Sequence, residues 1–132
     1  MKNLDIRWQQ RFQNFEKALA NLFEAQSIEN PSVVERAGII QFFQIAFELG
    51  WKTMKDFLND SGYDVRSPRD TIKQAAQHGI INDADGWFEM LEVRNELAHI
   101  YDDEIAEEAV EKIRLRFTQY FQDVNQWLKN PS

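Results

Sequence analysis

The sequence predicts an all-α fold, an antiparallel up-and-down helical bundle of four main helices and one short helix. Apolar residues recur at spacings of three and four along four long stretches, the stripe of an amphipathic helix. With five Gly and three Pro in 132 residues, the chain has too little turn chemistry for a many-stranded β fold. Short segments carrying cap and stop residues join the stretches, which suits antiparallel neighbours.

The first helix is expected from about residue 5 to 27, on the stripe Trp8, Phe12, Phe15, Leu19 and Leu22. Asn30-Pro31 breaks it, because the residue before a proline disfavours helical backbone. Ser32 and Glu35 form a capping box that starts the second helix. That helix runs to about Asp60 and stops at Ser61-Gly62. Its pattern is unusual. Gln41, Gln44, Glu48, Lys52 and Lys55 fall in one narrow polar stripe, while Val33, Ile39, Ile40, Phe42, Phe43, Ile45, Phe47, Leu49, Trp51, Met54, Phe57 and Leu58 are apolar. A helix apolar over most of its circumference must be covered on more than one side. A central helix, a dimer seam or both are therefore expected, and the dimer is favoured.

Ser67-Pro68-Arg69-Asp70 announces the short third helix, with serine as cap and proline at the first helical position. It runs through Ile72, Ala75 and Ala76 to Gly79, with His78 expected as a C-terminal capping side chain. The loop before it, Gly62 to Arg66, is a lid or a connector, and connector is favoured. The fourth helix starts near Asn82-Asp83 and carries Trp87, Phe88, Met90, Leu91, Val93, Leu97 and Ala98. The fifth begins at Asp102-Asp103-Glu104, acids suited to a helix N-terminus. It continues through Ala106, Val110, Ile113, Phe117, Tyr120, Val124 and Trp127 to about Lys129.

Residues 1–132 have the length of one domain. Hydrophobic residues at 43% and aromatics at 13% exclude a disordered chain. With no cysteine, disulfides, thiolate zinc sites and cysteine nucleophiles are excluded. No histidine or acidic cluster has metal-ligand spacing, no glycine loop cradles a phosphate, and no cofactor is expected. The N-terminus lacks a signal core, and no apolar run approaches the roughly 20 residues of a membrane span. A soluble, cytoplasmic protein without a membrane partner is expected. The net charge of −7 argues against a bulk basic grip on nucleic acid, though not against an RNA held by a few arginines.

The chemistry concentrates in Arg94-Asn95-Glu96-Leu97-Ala98-His99-Ile100-Tyr101. On a helical wheel Arg94 falls near the middle of the apolar arc of the fourth helix, with Tyr101 almost directly below it. A guanidinium stays charged, so burial demands a paired acceptor. Glu48, the only acid in the polar stripe of the second helix, is the expected partner. As pure architecture, such a buried pair predicts that Arg94→Ala costs ~3–5 kcal/mol, while His99→Ala changes nothing. His99 is suited to proton transfer near neutrality. It lies about 140° from Arg94 on a straight helix. The two side chains meet over one phosphate only if the helix unwinds near His99 or a second copy faces the first. Arg66, Arg69 and Lys73 are candidate phosphate contacts or part of a solvated charged face.

Arg94-Asn95-x3-His99-x-Tyr101 resembles the R-x4-H-x-Y signature of the HEPN superfamily, all-helical nucleotide- or RNA-associated domains. Phe47-Glu48-Leu49-Gly50-Trp51-Lys52, Ser67-Pro68-Arg69, Ala75 or Ala76, Gly79-Ile80-Ile81 and Trp87 resemble its nucleotidyltransferase substrate-binding protein branch. The likeness covers about residues 10 to 128. It implies a bundle that forms a homodimer and works beside a minimal nucleotidyltransferase. In one form such pairs are toxin–antitoxin modules, and the HEPN subunit is a metal-independent ribonuclease. The resemblance then assigns His99 as general acid/base, Arg94 to the scissile phosphate and Asn95 to polar positioning. Tyr101 becomes the residue to which the partner adds AMP. In the other form the subunit is non-catalytic and presents a nucleotide or other substrate to the nucleotidyltransferase. Glu48 and Arg94 then act as binding residues, with Lys52 and Arg69 as further substrate contacts.

Overall fold

The computed structural model describes the backbone of residues 2–99 and 102–131, and the side chains of 7–98 and 102–131. The expected helices are all present. The first, α1 (Lys2–Gln26), ends before Asn30, which takes a left-handed backbone at φ 47°. The second, α2 (Val33–Asp60), opens on the capping box. Ser32 Oγ accepts from the Glu35 N–H at 3.1 Å and Glu35 Oε1 accepts from the Ser32 N–H at 2.9 Å. Beyond its end Gly62 adopts φ 101°, a backbone that costs glycine little. The short α3 (Pro68–Gln77) is capped by Ser67. His78 closes that helix with its backbone N–H on Gln74, while its ring packs against Tyr63 with centroids 4.1 Å apart. The loop between α2 and α3 is a pinned connector: Val65 is buried and its N–H donates to Asn59 Oδ1 at 3.0 Å.

Asp83 Oδ1 accepts from the Gly86 N–H at 2.9 Å and so caps α4 (Ala84–His99). Asp102 does the same for α5 (Asp103–Lys112), accepting from the N–H groups of Glu104 and Ile105. A π-helical turn, Ile113–Phe117, carries α5 into α6 (Thr118–Lys129). The sequence pattern reads straight through this turn. Thr118 Oγ1 donates to the Ile113 carbonyl at 2.8 Å, five residues back, where the backbone ladder is widened. Arg114, within the turn, donates from Nε to the Gln26 carbonyl at 2.9 Å and from Nη2 to the Ile28 carbonyl. It thereby supplies partners to carbonyls at the end of α1, which the helix itself leaves open.

α1 and α2 form an antiparallel pair, with Trp8 edge-on to Phe57 and Phe15 against Gly50. A Cβ at Gly50 would lie 3.1 Å from the Phe15 ring, so the missing side chain lets these helices close. α4 runs antiparallel to the α5–α6 rod, Asp83 meeting Tyr120 and Glu89 meeting Arg116. α2 is the central helix. It packs on α1, α3, α5 and α6 and reaches α4 through Phe47 and Trp87, whose rings lie 5.9 Å apart. Phe15, Phe43, Phe47, Trp87, Phe117 and Phe121 form the fully buried aromatic centre.

The outer stripe of α2 is open along its first half, where Val34 is 80% and Ile45 36% exposed and Val33 is open as well. One expectation about apolar faces needs correction. In α4 the buried arc ends at Val93: Leu97 is only half-buried and Ala98 is exposed. Among the described residues no helix is long and apolar enough to cross a membrane.

Candidate functional site

α2 and α4 cross where Glu48 faces Arg94. Arg94 Nε donates to Glu48 Oε2 at 2.6 Å, and Nη2 pairs with the same oxygen. Nη1 donates to Asn95 Oδ1 at 3.0 Å. One N–H on each of Nη1 and Nη2 thus makes no bond among the described residues. The guanidinium lies over the Phe47 ring, 5.8 Å from its centroid, within the range of a cation–π contact. Glu48 is held in turn: Trp51 Nε1 donates to its Oε1 at 3.2 Å, and Lys52 Nζ lies 3.9 Å from that oxygen.

The expected Arg94–Glu48 pair is present, but it is not a core pair. The two side chains are 28% and 32% exposed, so Arg94 sits at the rim of the apolar arc and not at its centre. Water screens such a pair and can be displaced from it by a ligand. The role of Phe47, beneath Arg94 from another helix, escapes a wheel drawn for one helix at a time. Trp51 stands three residues after Glu48, a spacing that brings side chains together on one face.

The structure joins Arg94, Asn95, Glu48 and Lys52 in one group. Arg69 stands apart at the start of α3, its guanidinium 5.1 Å from the centroid of Phe88. Arg66 pairs with Asp64 at 3.3 Å. α4 remains helical through His99, so no unwinding precedes that residue, and its position stays about 140° from Arg94. The His99 side chain and all of Tyr101 lie outside the described residues.

A second polar network ties α4 to the α5–α6 rod. Arg116 bonds Glu89 through both terminal nitrogens, at 2.7 Å each, and Lys112 lies 3.5 Å from the same carboxylate. These contacts, Arg116 first, hold the Glu89 carboxyl below its ordinary pKa. Tyr120 donates to Asp83 Oδ2 at 2.8 Å. Burial, then that hydrogen bond, pushes its phenol above the ordinary value. Each member has a structural partner, so this network braces the bundle where α4 meets the α5–α6 rod. Grooves of about 480, 270 and 720 Å³ are lined by other residues than Arg94 and Glu48. Arg94 and Glu48 are each about a third exposed, so a ligand can reach the pair.

A family described as nucleotidyltransferase substrate binding protein like matches residues 10–130. The chain belongs to this family. Within the same HEPN grouping, it is 33% identical over 94 residues to "Probable ribonuclease HepT" of Haemophilus influenzae. That match covers 65% of this chain and 62% of the relative, so the chain spans less than two thirds of that protein's length. A solved structure from Thermus thermophilus is similar with TM-score 0.82 and 29% identity, over 88% of this chain and 99% of that one. A second, from Haemophilus influenzae, has TM-score 0.70 and 24% identity, over 96% and 99% of the respective chains. It shares the fold, and its structure is described as that of a substrate binding domain of a nucleotidyltransferase.

Proposed function

We propose that this family member is a ribonuclease that cuts RNA at the Arg94–His99 motif and is silenced by a minimal nucleotidyltransferase. The observation that carries this is the state of Arg94. Glu48 and Asn95 fix its guanidinium and, among the described residues, leave two N–H bonds without a partner, the arrangement needed to grip a phosphate and offset charge developing on it. His99, five positions on, supplies the titratable group. In RNA the 2′-hydroxyl beside the scissile phosphate is the nucleophile at hand. A base takes its proton, the new P–O bond forms, and the 5′-oxygen leaves with a proton from an acid. With Arg94 and His99 well apart on one helix, the catalytic unit is a homodimer in which two motifs face each other. The open seam on α2, from Val34 to Ile45, ends at Glu48 and supports this assembly. Tyr101 is the site where the partner attaches AMP: its phenol oxygen attacks the α-phosphate of a nucleoside triphosphate, and pyrophosphate leaves.

The net charge of −7 and the family description favour a second reading, a non-catalytic subunit that presents a nucleotide to the nucleotidyltransferase. Expression of the wild type and of His99→Ala without a partner separates the two. The ribonuclease reading expects arrested growth and fragmented RNA with the wild type only. Equal growth and equally intact RNA would refute it. In the same cells, co-expression of the nucleotidyltransferase should restore growth and add the mass of AMP to the Tyr101 peptide.

A further inference from the structure

The charge of this protein is not evenly spread. Residues 102–111 hold six acidic side chains and no basic one, leaving 16 acidic against 15 basic residues in the rest of the chain. The outer stripe of α2 has the opposite character. Its exposed and half-buried positions run Val34, Gln41, Ile45, Glu48, Lys52 and Lys55 at helical spacing, and Glu48 is its only acid. Arg94 already engages that acid. Past Glu48 the stripe is therefore cationic, and each cation rests on an aromatic ring or on the Arg94 group. Lys55 Nζ lies over Trp51, 5.9 Å from the ring centroid, Trp51 is bonded to Glu48, and Lys52 sits beside Glu48. Among the described residues neither ammonium is tied to a strong partner: the Lys52 contact is 3.9 Å long and its side chain is 43% exposed.

From this we infer that Lys52 and Lys55 form a flanking-phosphate subsite, which lays a single RNA strand along the second half of α2 away from Arg94. The inference rests on the ribonuclease reading and specifies its substrate as an extended strand, not a mononucleotide. Glu48 to Lys55 is two turns, about 10 Å of helix, room for phosphates beyond the one on Arg94. The first half of the stripe is neutral and apolar, so a backbone polyanion gains nothing there, and that half stays available to a second copy of the chain. Side-chain flexibility suits the lysines to phosphates as point charges without base selectivity.

The test is the salt dependence of binding to a labelled oligouridylate, using His99→Ala as the uncut background. Each lost phosphate contact lowers the slope of log K against log salt by about 0.7. Lys52→Ala with Lys55→Ala should therefore lower it by about 1.4, while Lys17→Ala on the exposed face of α1 leaves it unchanged. Affinity for 5′-AMP should be the same in the parent, in Lys55→Ala alone and in Lys17→Ala. An unchanged slope in a double variant that melts like its parent overturns the subsite and leaves the ribonuclease reading standing. Failure of the parent to bind the oligouridylate at all overturns both. Equal weakening of oligouridylate and 5′-AMP in Lys55→Ala also overturns the subsite, since it would place that lysine at the nucleotide itself.

Discussion

Arg94 is positioned by four neighbours of different kinds: the Phe47 ring beneath it, the Glu48 carboxylate beside it, the Asn95 amide at its tip, and Trp51 holding Glu48 from behind. Because the ion pair is partly wet, Arg94→Ala should lower unfolding free energy by only ~1 kcal/mol, not by the ~3–5 kcal/mol of a core pair. Urea denaturation measures this. The same variant should abolish RNA cleavage, and Arg94→Lys should not restore it, since an ammonium cannot hold Glu48 and a phosphate edge together. That Glu48 would meet Arg94 is legible in the sequence: one acid stands in the polar stripe of α2 and one cation in the apolar arc of α4. How deep the pair lies is not legible, because depth depends on which side of α2 the other helices leave open.

At the scale of elements, the starts and stops are written locally and the sequence carries them well. Ser32 with Glu35, Ser67 before Pro68, and Asp102 each cap the helix that their spacing announces. The π turn at Ile113–Phe117 has no such signal. Ile113 and Phe117 keep helical spacing on either side of it, and the side chain that fits the widened turn, Thr118, says nothing until its carbonyl partner is known. Close approach of α4 to α6 is equally hidden. A Cβ at Gly86 would stand 2.4 Å from Cζ of Tyr120, so this glycine, in the first turn of α4, is where the two helices touch. Gly86→Ala should destabilise the protein by ~1–3 kcal/mol through overpacking. Combined with Tyr120→Ala it should cost clearly less than the sum of the two single changes, as read from denaturation midpoints.

For the whole molecule, the nearly all-round apolar α2 poses one question with two parts. The helix is central, since α1, α3, α5 and α6 pack on it and α4 crosses it. It also keeps an uncovered strip, and a sequence pattern cannot divide a helix face between the core and a second chain. If that strip is the homodimer seam, Val34→Asp with Ile45→Lys should halve the mass measured by sedimentation while circular dichroism stays unchanged. An unaltered mass would place the seam elsewhere. The family model and the two solved folds establish the architecture, and the capped helices show why this chain adopts it. The acidic run that opens α5 has a consequence for encounter kinetics. Ala109 and Val110 turn α5 inward, so the carboxylates at Glu104, Glu107, Glu108 and Glu111 face solvent. The net charge is thus concentrated on one helix, and the rest of the molecule is near neutral. An approaching polyanion feels a torque before it feels a contact, and is repelled from one side and turned toward the other.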